Sequence, residues 1–151
     1  MTEMLVLVHD TRDRMLLEEA ITHSRLAPQA TFVRTDDDLL RVLDAHAPKY
    51  PRLLLLSGTP PGVDLPHVIR TLRHVTRPAC VPIVVLTART DPTRARRCYD
   101  AGANAYTITP IDLTAYIQTV HATLQYWLHL VCVPNSPARS DMTTPRPERG
   151  T

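Results

Sequence analysis

Five short apolar runs, separated by longer stretches of mixed polarity, organise most of the chain. They lie at 4–8, 31–33, 53–56, 83–86 and 105–108. The run at 4–8 is apolar throughout rather than alternating, which is typical of a strand covered on both faces of a parallel sheet. The stretches between the runs show the three- and four-residue apolar spacing of helices. Strands that alternate with helices predict an α/β fold.

Polar residues mark where the intervening helices should begin and end. The first helix carries the apolar stretch 15–17, with Thr11 or Asp13 as its candidate N-cap. Three consecutive aspartates open the second helix, where negative charge meets the positive end of the helix dipole. The remaining helices are expected at about 66–75, at 91–101 and from 112 onward, with Gly102 ending the fourth.

Right-handed crossovers between parallel strands restrict the order in which the five strands can pair. We predict a flavodoxin-like, doubly wound, five-stranded parallel sheet in the order 2-1-3-4-5, with helices on both faces. In such sheets, ligands bind outside the carboxyl ends of the strands, beside the point where the strand order reverses. Several polar residues stand at those ends and would share one pocket: His9, Asp10, Ser57, Thr87 and Thr109.

The composition suits one globular domain. The 151 residues are 44% hydrophobic and 21% charged, and no apolar run reaches the roughly 18–20 residues of a membrane span. No basic leader precedes an apolar segment, so a cytoplasmic protein without membrane contact is expected. Three widely spaced cysteines suggest neither a disulfide framework nor a zinc site. The formal net charge of +2 is too small to indicate nucleic-acid binding. An acidic protein partner would better suit the basic patch of Arg89, Arg94, Arg96 and Arg97.

The chain divides at about residue 133. Residues 1–133 are predicted to form the domain, which ends in an extended last helix. Residues 134–151 contain four prolines and almost no large apolar side chain. That composition is typical of a disordered tail.

The last helix is apolar on more sides than a single domain needs. Asp112 is expected to cap it, with Ile111 and Tyr116 forming a hydrophobic staple. An inward stripe follows at Leu113, Ile117, Val120 and Leu124, and the segment 123–133 is then apolar nearly all round. A lone domain rarely exposes a large apolar patch, so we expect a homodimer or partner face at Tyr126, Trp127, Leu130 and Val131. The alternative is a longer helix folded wholly onto its own sheet.

Four stretches of the chain resemble the receiver domain of bacterial response regulators. They are M-L-V-L-V-H-D at 4–10, P-R-L-L-L-L-S-G-T-P-P-G-V-D-L at 51–65, P-I-V-V-L-T-A at 82–88 and A-G-A-N-A-Y-T-I-T-P at 101–110. Their order and spacing imply the receiver fold over about residues 4–130. In that family the residue at the position of Ser57 is the aspartate that takes a phosphoryl group from a histidine kinase. A serine cannot form the acyl phosphate.

The resemblance also implies that the rest of the phosphorylation pocket is altered. Two adjacent acids and the acceptor aspartate hold Mg²⁺ in the family, whereas this chain has His9-Asp10 and Ser57 there. One carboxylate, Asp10, should bind Mg²⁺ weakly or not at all, so no cofactor is expected. Thr109 stands where the family has a lysine. Thr87 is the phosphate-contacting residue that still matches.

Two further features come with the resemblance. Tyr106 matches an aromatic residue that switches between outward and inward rotamers in the family. Without a phosphate, a fixed rotamer that simply packs is expected. The Thr109–Pro110 bond matches a cis peptide of the family's loop.

These observations favour a phosphorylation-independent receiver that is not an enzyme and acts as a protein-interaction module in bacterial two-component signalling. Its expected partner is a histidine kinase or another signalling protein. Two alternatives remain open. A rearranged receiver would be phosphorylated on Ser57 or on a neighbouring acid such as Asp64. A small hydrolase would use Ser57 as its nucleophile and His9 as its base.

Overall fold

The computed structural model describes residues 3–76 and 80–130 of the chain. Within these residues, strands and α-helices alternate strictly and one π-helical segment follows the last helix. The strands are β1 (Met4–Leu7), β2 (Ala30–Val33), β3 (Leu53–Leu56), β4 (Ile83–Thr87) and β5 (Ala105–Ile108). The helices are α1 (Thr11–Thr22), α2 (Asp36–His46), α3 (Leu65–Val75), α4 (Pro92–Ala101) and α5 (Leu113–Leu124), and the π-helix covers Gln125–Leu130.

All neighbouring strands pair in parallel, and the predicted order β2-β1-β3-β4-β5 is confirmed. The register brings the carboxyl ends of neighbouring strands level with one another. Leu7 lies opposite both Val33 and Leu56, and Thr87 lies opposite Ile108. Residues that follow these strands therefore meet along one edge of the sheet.

Alternate residues of the central strands supply two separate core layers. Leu5, Leu54 and Val85 point to one face, where α2, α3 and α4 pack. Val6, Leu55 and Val84 point to the other, where α1 and α5 pack. These side chains are almost completely buried, which explains the apolar runs of the central strands β1, β3 and β4. Helices thus cover both faces of the sheet, as predicted.

Each described α-helix begins at a side chain that accepts a backbone N–H from its first turn. For α1 the N-cap is Asp10, not Thr11 or Asp13, so that prediction was wrong. Asp10 has extended backbone angles, and its carboxylate accepts from the Asp13 N–H at 3.4 Å. Gly102 ends α4 with φ of 118°, the left-handed conformation predicted for it.

The end of the last helix differs from the simple amphipathic helix of the sequence analysis. The backbone passes from α5 into the π-helix at Gln125, and the Arg52 guanidinium donates a hydrogen bond to the Leu128 carbonyl there. The predicted staple does not form, because Ile111 is 98% exposed while Tyr116 packs against the α1–α5 core layer.

Three other observations complete the fold. The prediction of a cis Thr109–Pro110 bond was wrong, and the cis bond in the described residues is Ala47–Pro48. The prediction for Thr109–Pro110 rested only on a dipeptide that matches the family, and an X-Pro dipeptide permits either isomer. None of the described helices is long and apolar enough to cross a bilayer. The predicted tail at 134–151 lies outside the described residues.

Candidate functional site

The carboxyl ends of β1, β3, β4 and β5 surround a cavity of about 370 Å³. It contains all five polar residues that the sequence placed at strand ends. Its full lining is His9, Asp10, Asp13, Ser57, Gly58, Thr59, Leu65, Val85, Leu86, Thr87, Ala88, Arg89, Arg94, Thr109 and Tyr116. The lining thus joins strand ends to residues of α1, α3, α4 and α5.

Backbone hydrogen bonds fix the hydroxyl residues of this cavity. The Ser57 N–H donates to the Leu7 carbonyl at 2.8 Å, and the Thr109 N–H donates to the Thr87 carbonyl at 2.8 Å. Both bonds extend the strand ladders by one residue. The Thr87 hydroxyl accepts from the Arg89 N–H at 3.1 Å, which shapes the turn after β4. The hydroxyls therefore stand on rigid backbone.

Several polar groups in the cavity have no protein partner among the described residues. The His9 Nδ1 atom is buried and makes no hydrogen bond there. Thr109 is only 7% exposed, and neither its hydroxyl nor that of Ser57 bonds to a described residue. Buried polar groups are normally paired with protein or water. The floor of the cavity is therefore open to a polar ligand.

Two carboxylates lie on the side of the cavity formed by α1. Asp10 is one, and Asp13, which the sequence analysis considered only as a cap, is the other. Burial raises the pKa of the Asp13 carboxyl, and the neighbouring charge of Asp10 raises it further. In the described part of the chain, no group of three or more His, Cys, Asp or Glu side chains could hold a metal ion. These residues do not fit the three-carboxylate Mg²⁺ site of receivers.

Two arginines line the same cavity from the side of α4. Arg94 belongs to the first turn of that helix and Arg89 to the loop before it. Burial raises the pKa of both Tyr106 and Cys98, and the charge of Arg94 opposes each rise. The Arg94 guanidinium is therefore near both side chains. Sequence reasoning assigned these arginines to a surface patch, because the direction of a helix-borne side chain cannot be obtained from spacing alone.

Tyr106 takes the inward position. Its ring packs against the core layer under α3 and α4, and its hydroxyl is buried beside Thr87 without a well-formed hydrogen bond. Its backbone N–H, at the open edge of β5, donates to the Tyr99 hydroxyl at 3.0 Å. That this side chain keeps one fixed rotamer stays a prediction.

Ser57 and His9 line the same cavity without contacting each other as a nucleophile and its base would. In the part of the chain that the structure describes, neither side chain hydrogen-bonds to the other. A catalytic pair needs hydrogen-bond reach and a third group that orients the base. Asp10 is not the group that orients His9, since the Asp10 carboxylate accepts a hydrogen bond from the Asp13 N–H.

The residues predicted to form the partner face of the last helix differ in their exposure. Tyr126 and Leu130 are 52% and 59% exposed. Trp127 packs against the α1–α5 core layer, with its ring edge-on to Tyr126 at 5.1 Å. Val131 lies outside the described residues. Other large apolar side chains are exposed as well, namely Tyr99, Ile108, Ile111 and Leu113. The prediction that Leu113 belongs to the inward stripe was wrong, because 55% of its surface is exposed.

Known proteins resemble this chain over most of its length. No protein-family model matches it. The probable methanogenesis regulatory protein FilR2 of Methanothrix harundinacea is 33% identical over 91 residues, which are 60% of this chain and 59% of FilR2. The DNA-binding transcriptional regulator NtrC of Klebsiella pneumoniae is 28% identical over 131 residues, which are 87% of this chain and 26% of NtrC.

Solved structures decide the fold. The phosphorylated cyanobacterial phytochrome response regulator RcpA has a TM-score of 0.76 and 23% identity, covering 89% of this chain and 99% of RcpA. The chain has the fold of a response-regulator receiver domain. Response regulator RPA3017, in red light signaling of R. palustris, shares this receiver fold with a TM-score of 0.74 and 20% identity, over 88% of this chain and 99% of that protein. The chain covers 59% of the length of FilR2 and 26% of the length of NtrC.

Proposed function

We propose that the chain is an atypical receiver that acts without phosphorylation, as a protein-interaction module in bacterial two-component signalling. One observation carries the proposal. Ser57 follows the buried strand β3 and lines the cavity where a receiver needs an aspartate nucleophile. An acyl phosphate requires a carboxylate. The proposal includes a cytoplasmic location, because histidine kinases of this signalling class act on cytoplasmic receivers.

The remaining pocket supports the same proposal. Phosphoryl transfer depends on a metal ion and on cationic groups that stabilise the transferring oxygens. Asp10 is the one acid kept at its family position, and its carboxylate serves as the N-cap of α1. Thr109 supplies no charge at the lysine position. Nucleophile, metal ligands and lysine are thus altered together.

A module without chemistry acts through its contacts. The partner we propose is a histidine kinase or another signalling protein, and a homodimer forms through the exposed apolar residues at the end of the last helix. Tyr126 and Leu130 support such a face because both are large, apolar and more than half exposed. Nucleic acid is not a proposed partner, and the proposed module is not an enzyme.

The chemistry is tested by incubating the full chain with acetyl phosphate and Mg²⁺ and measuring its intact mass. We expect no gain of a phosphoryl group. In parallel, amide NMR spectra recorded with Mg²⁺ and beryllofluoride should show no Mg²⁺-dependent shifts at Ser57, Thr87 and Tyr106. A phosphoryl adduct that disappears in Ser57→Ala would instead establish the rearranged receiver.

The dimer is tested by the mass in solution of Leu130→Glu. This residue is preferred to Trp127, because the partly buried indole packs against the core and its replacement would disturb the fold. The matched control is Gln118→Glu, an exposed position on α5. We expect a dimer for the wild-type chain and the control, and a monomer for Leu130→Glu. An unchanged mass for Leu130→Glu would contradict the proposed face.

A further inference from the structure

The cavity at the strand ends has charges of opposite sign on opposite sides. Asp10 and Asp13, here called the acidic wall, approach it from the α1 side. Arg89 and Arg94, the basic wall, approach it from the α4 side. Because α1 and α4 pack on opposite faces of the sheet, the walls face each other across the ends of β3, β4 and β5.

The two walls do not neutralise each other. The ion pairs within residues 3–76 and 80–130 are His23–Glu19, Arg41–Asp38, Arg52–Glu3 and Arg97–Asp64. None of them joins the acidic wall to the basic wall. The open cavity keeps the opposite charges of the two walls more than a salt-bridge distance apart. The charge of Arg12 acts on Asp13, but no ion pair with the basic wall neutralises the acidic wall.

The floor between the walls is polar and open. Thr109 is more than nine-tenths buried, lines the cavity and has no side-chain partner among described residues. Ser57 is only partly buried, and its hydroxyl also has no protein partner among the described residues. The buried His9 Nδ1 lacks a hydrogen bond. A buried polar group without a partner is unfavourable, so a ligand that bonds to it gains affinity.

The size of the cavity restricts the occupant to a small molecule. Its volume of about 370 Å³ lies near the lower end of the range for small-molecule sites. An inorganic anion alone would leave the acidic wall unpaired and would be repelled by it. An amine alone would meet the same difficulty at the basic wall.

We propose that this cavity binds a small zwitterion, with its ammonium group at Asp10 and Asp13 and its phosphate or carboxylate group at Arg89 and Arg94. The hydroxyls of Ser57, Thr87 and Thr109 hydrogen-bond to the ligand between them. Binding is noncovalent and needs no metal ion. The inference goes beyond the proposed function, because it gives a ligand to a pocket that has lost the residues for phosphoryl transfer.

The test uses phosphoethanolamine, which carries both charges, and compares it with ethanolamine and inorganic phosphate. Each is titrated into the full chain in the presence of EDTA while amide NMR shifts are followed. We expect saturable shifts at Ser57, Thr87 and Thr109, with a Kd for phosphoethanolamine at least about tenfold below that of either fragment. Equal affinity for phosphate would mean an anion site only, and absence of saturation would mean no site. Either result overturns the proposal.

Two variants test the two walls separately. Arg94→Gln should raise the Kd for phosphoethanolamine about tenfold or more, and Asp13→Asn should do the same through the ammonium end. The matched controls are Arg96→Gln and Glu18→Gln, which lie on the same two helices outside the cavity lining. Circular dichroism verifies that all four variants fold. An unchanged Kd in both wall variants would refute the assignment.

The outcome is independent of the phosphorylation test. Zwitterion binding in EDTA requires neither Mg²⁺ nor a covalent adduct, whereas phosphoryl transfer requires both. A chain that gains a phosphoryl group on Ser57 but does not bind phosphoethanolamine contradicts both proposals. If the chain neither gains a phosphoryl group nor binds phosphoethanolamine, the proposed interaction module stands and only the zwitterion proposal is contradicted.

Discussion

Arg73 makes the most extensive side-chain hydrogen bonding in the described structure, and its replacement should measurably destabilise the fold. Its Nη1 donates to the Val81 carbonyl at 2.7 Å. Its Nε and Nη2 donate to the Gly102 carbonyl at 3.2 and 2.6 Å, and Nη2 also donates to the Asn104 Oδ1 atom at 2.8 Å. The same Oδ1 accepts from the Ile83 N–H at 2.8 Å. One guanidinium thus ties α3 to the start of β4 and to the α4–β5 turn.

The size of the effect follows from what Arg73→Met would leave behind. Three acceptors, the Val81 and Gly102 carbonyls and the Asn104 amide oxygen, would lose a charged donor. Hydrogen bonds to charged groups contribute about 1.5–3 kcal/mol each. Burial lowers the pKa of Arg73, which shows that desolvation opposes this gain, and water can reach part of the site. We therefore expect a net loss of about 2–4 kcal/mol in the free energy of unfolding.

The assay is urea unfolding of the full chain followed by circular dichroism. Arg70→Met is the matched control, since this exposed arginine lies on the same helix and makes none of these bonds. Arg73→Lys should fall between the wild type and Arg73→Met, because an ammonium cannot reach all three acceptors at once. A loss below about 0.5 kcal/mol for Arg73→Met, equal to that of the control, would refute the reasoning.

Three further predictions follow from the structure, and the first also concerns a contact of Arg73. Gly102→Ala should lower the unfolding free energy by about 1 kcal/mol or more, because φ is 118° and an added Cβ would lie 3.2 Å from the Arg73 Nε; an unchanged urea midpoint would contradict this. Asp91→Ala should lower it by about 0.5–2 kcal/mol by removing the N-cap bond to the Arg94 N–H, whereas Asp100→Ala, at the other end of α4, should not. Burial raises the pKa of Tyr116 to about 12, with a smaller contribution from Asp13. The folded chain therefore holds this phenol proton more tightly than the unfolded chain. The resulting stability is present below the ordinary tyrosine pKa of about 10 and is lost as the pH rises to about 12. The measurement is the phenolate absorbance of the chain as a function of pH. The component that titrates near pH 12 should be absent in Tyr116→Phe.

The fold was predictable from the sequence because its determinants are local and repeated. The buried central strands are marked by uninterrupted apolar runs, and the handedness of crossovers restricts the strand order. The end of the last helix was not predictable in the same way. Apolar spacing assumes 3.6 residues per turn, and the π-helix that begins at Gln125 breaks that period. Here Trp127 packs, partly buried, against the core, while Tyr126 and Leu130 are exposed.

The strand-end residues of the cavity could be located because topology alone brings them to one edge. The charged residues carried by helices could not. Asp13 and Arg94 each lie in the first turn of a helix, where a change of one residue in the start turns the side chain by about 100°. Their entry into the cavity depends on where Asp10 and Asp91 begin α1 and α4. For α1 the sequence suggested the wrong N-cap.

The receiver fold and its phosphorylation chemistry rest on different residues, so one can be lost while the other is kept. Ser57 contributes a backbone N–H to the sheet, whatever its side chain, and exchange of a carboxylate for a hydroxyl there removes no core contact. It does remove a negative charge from a cavity that Arg89 and Arg94 still line. The basic wall then lacks the counter-charge that an acceptor aspartate would supply. On our proposal the phosphate or carboxylate group of a bound zwitterion supplies that charge instead.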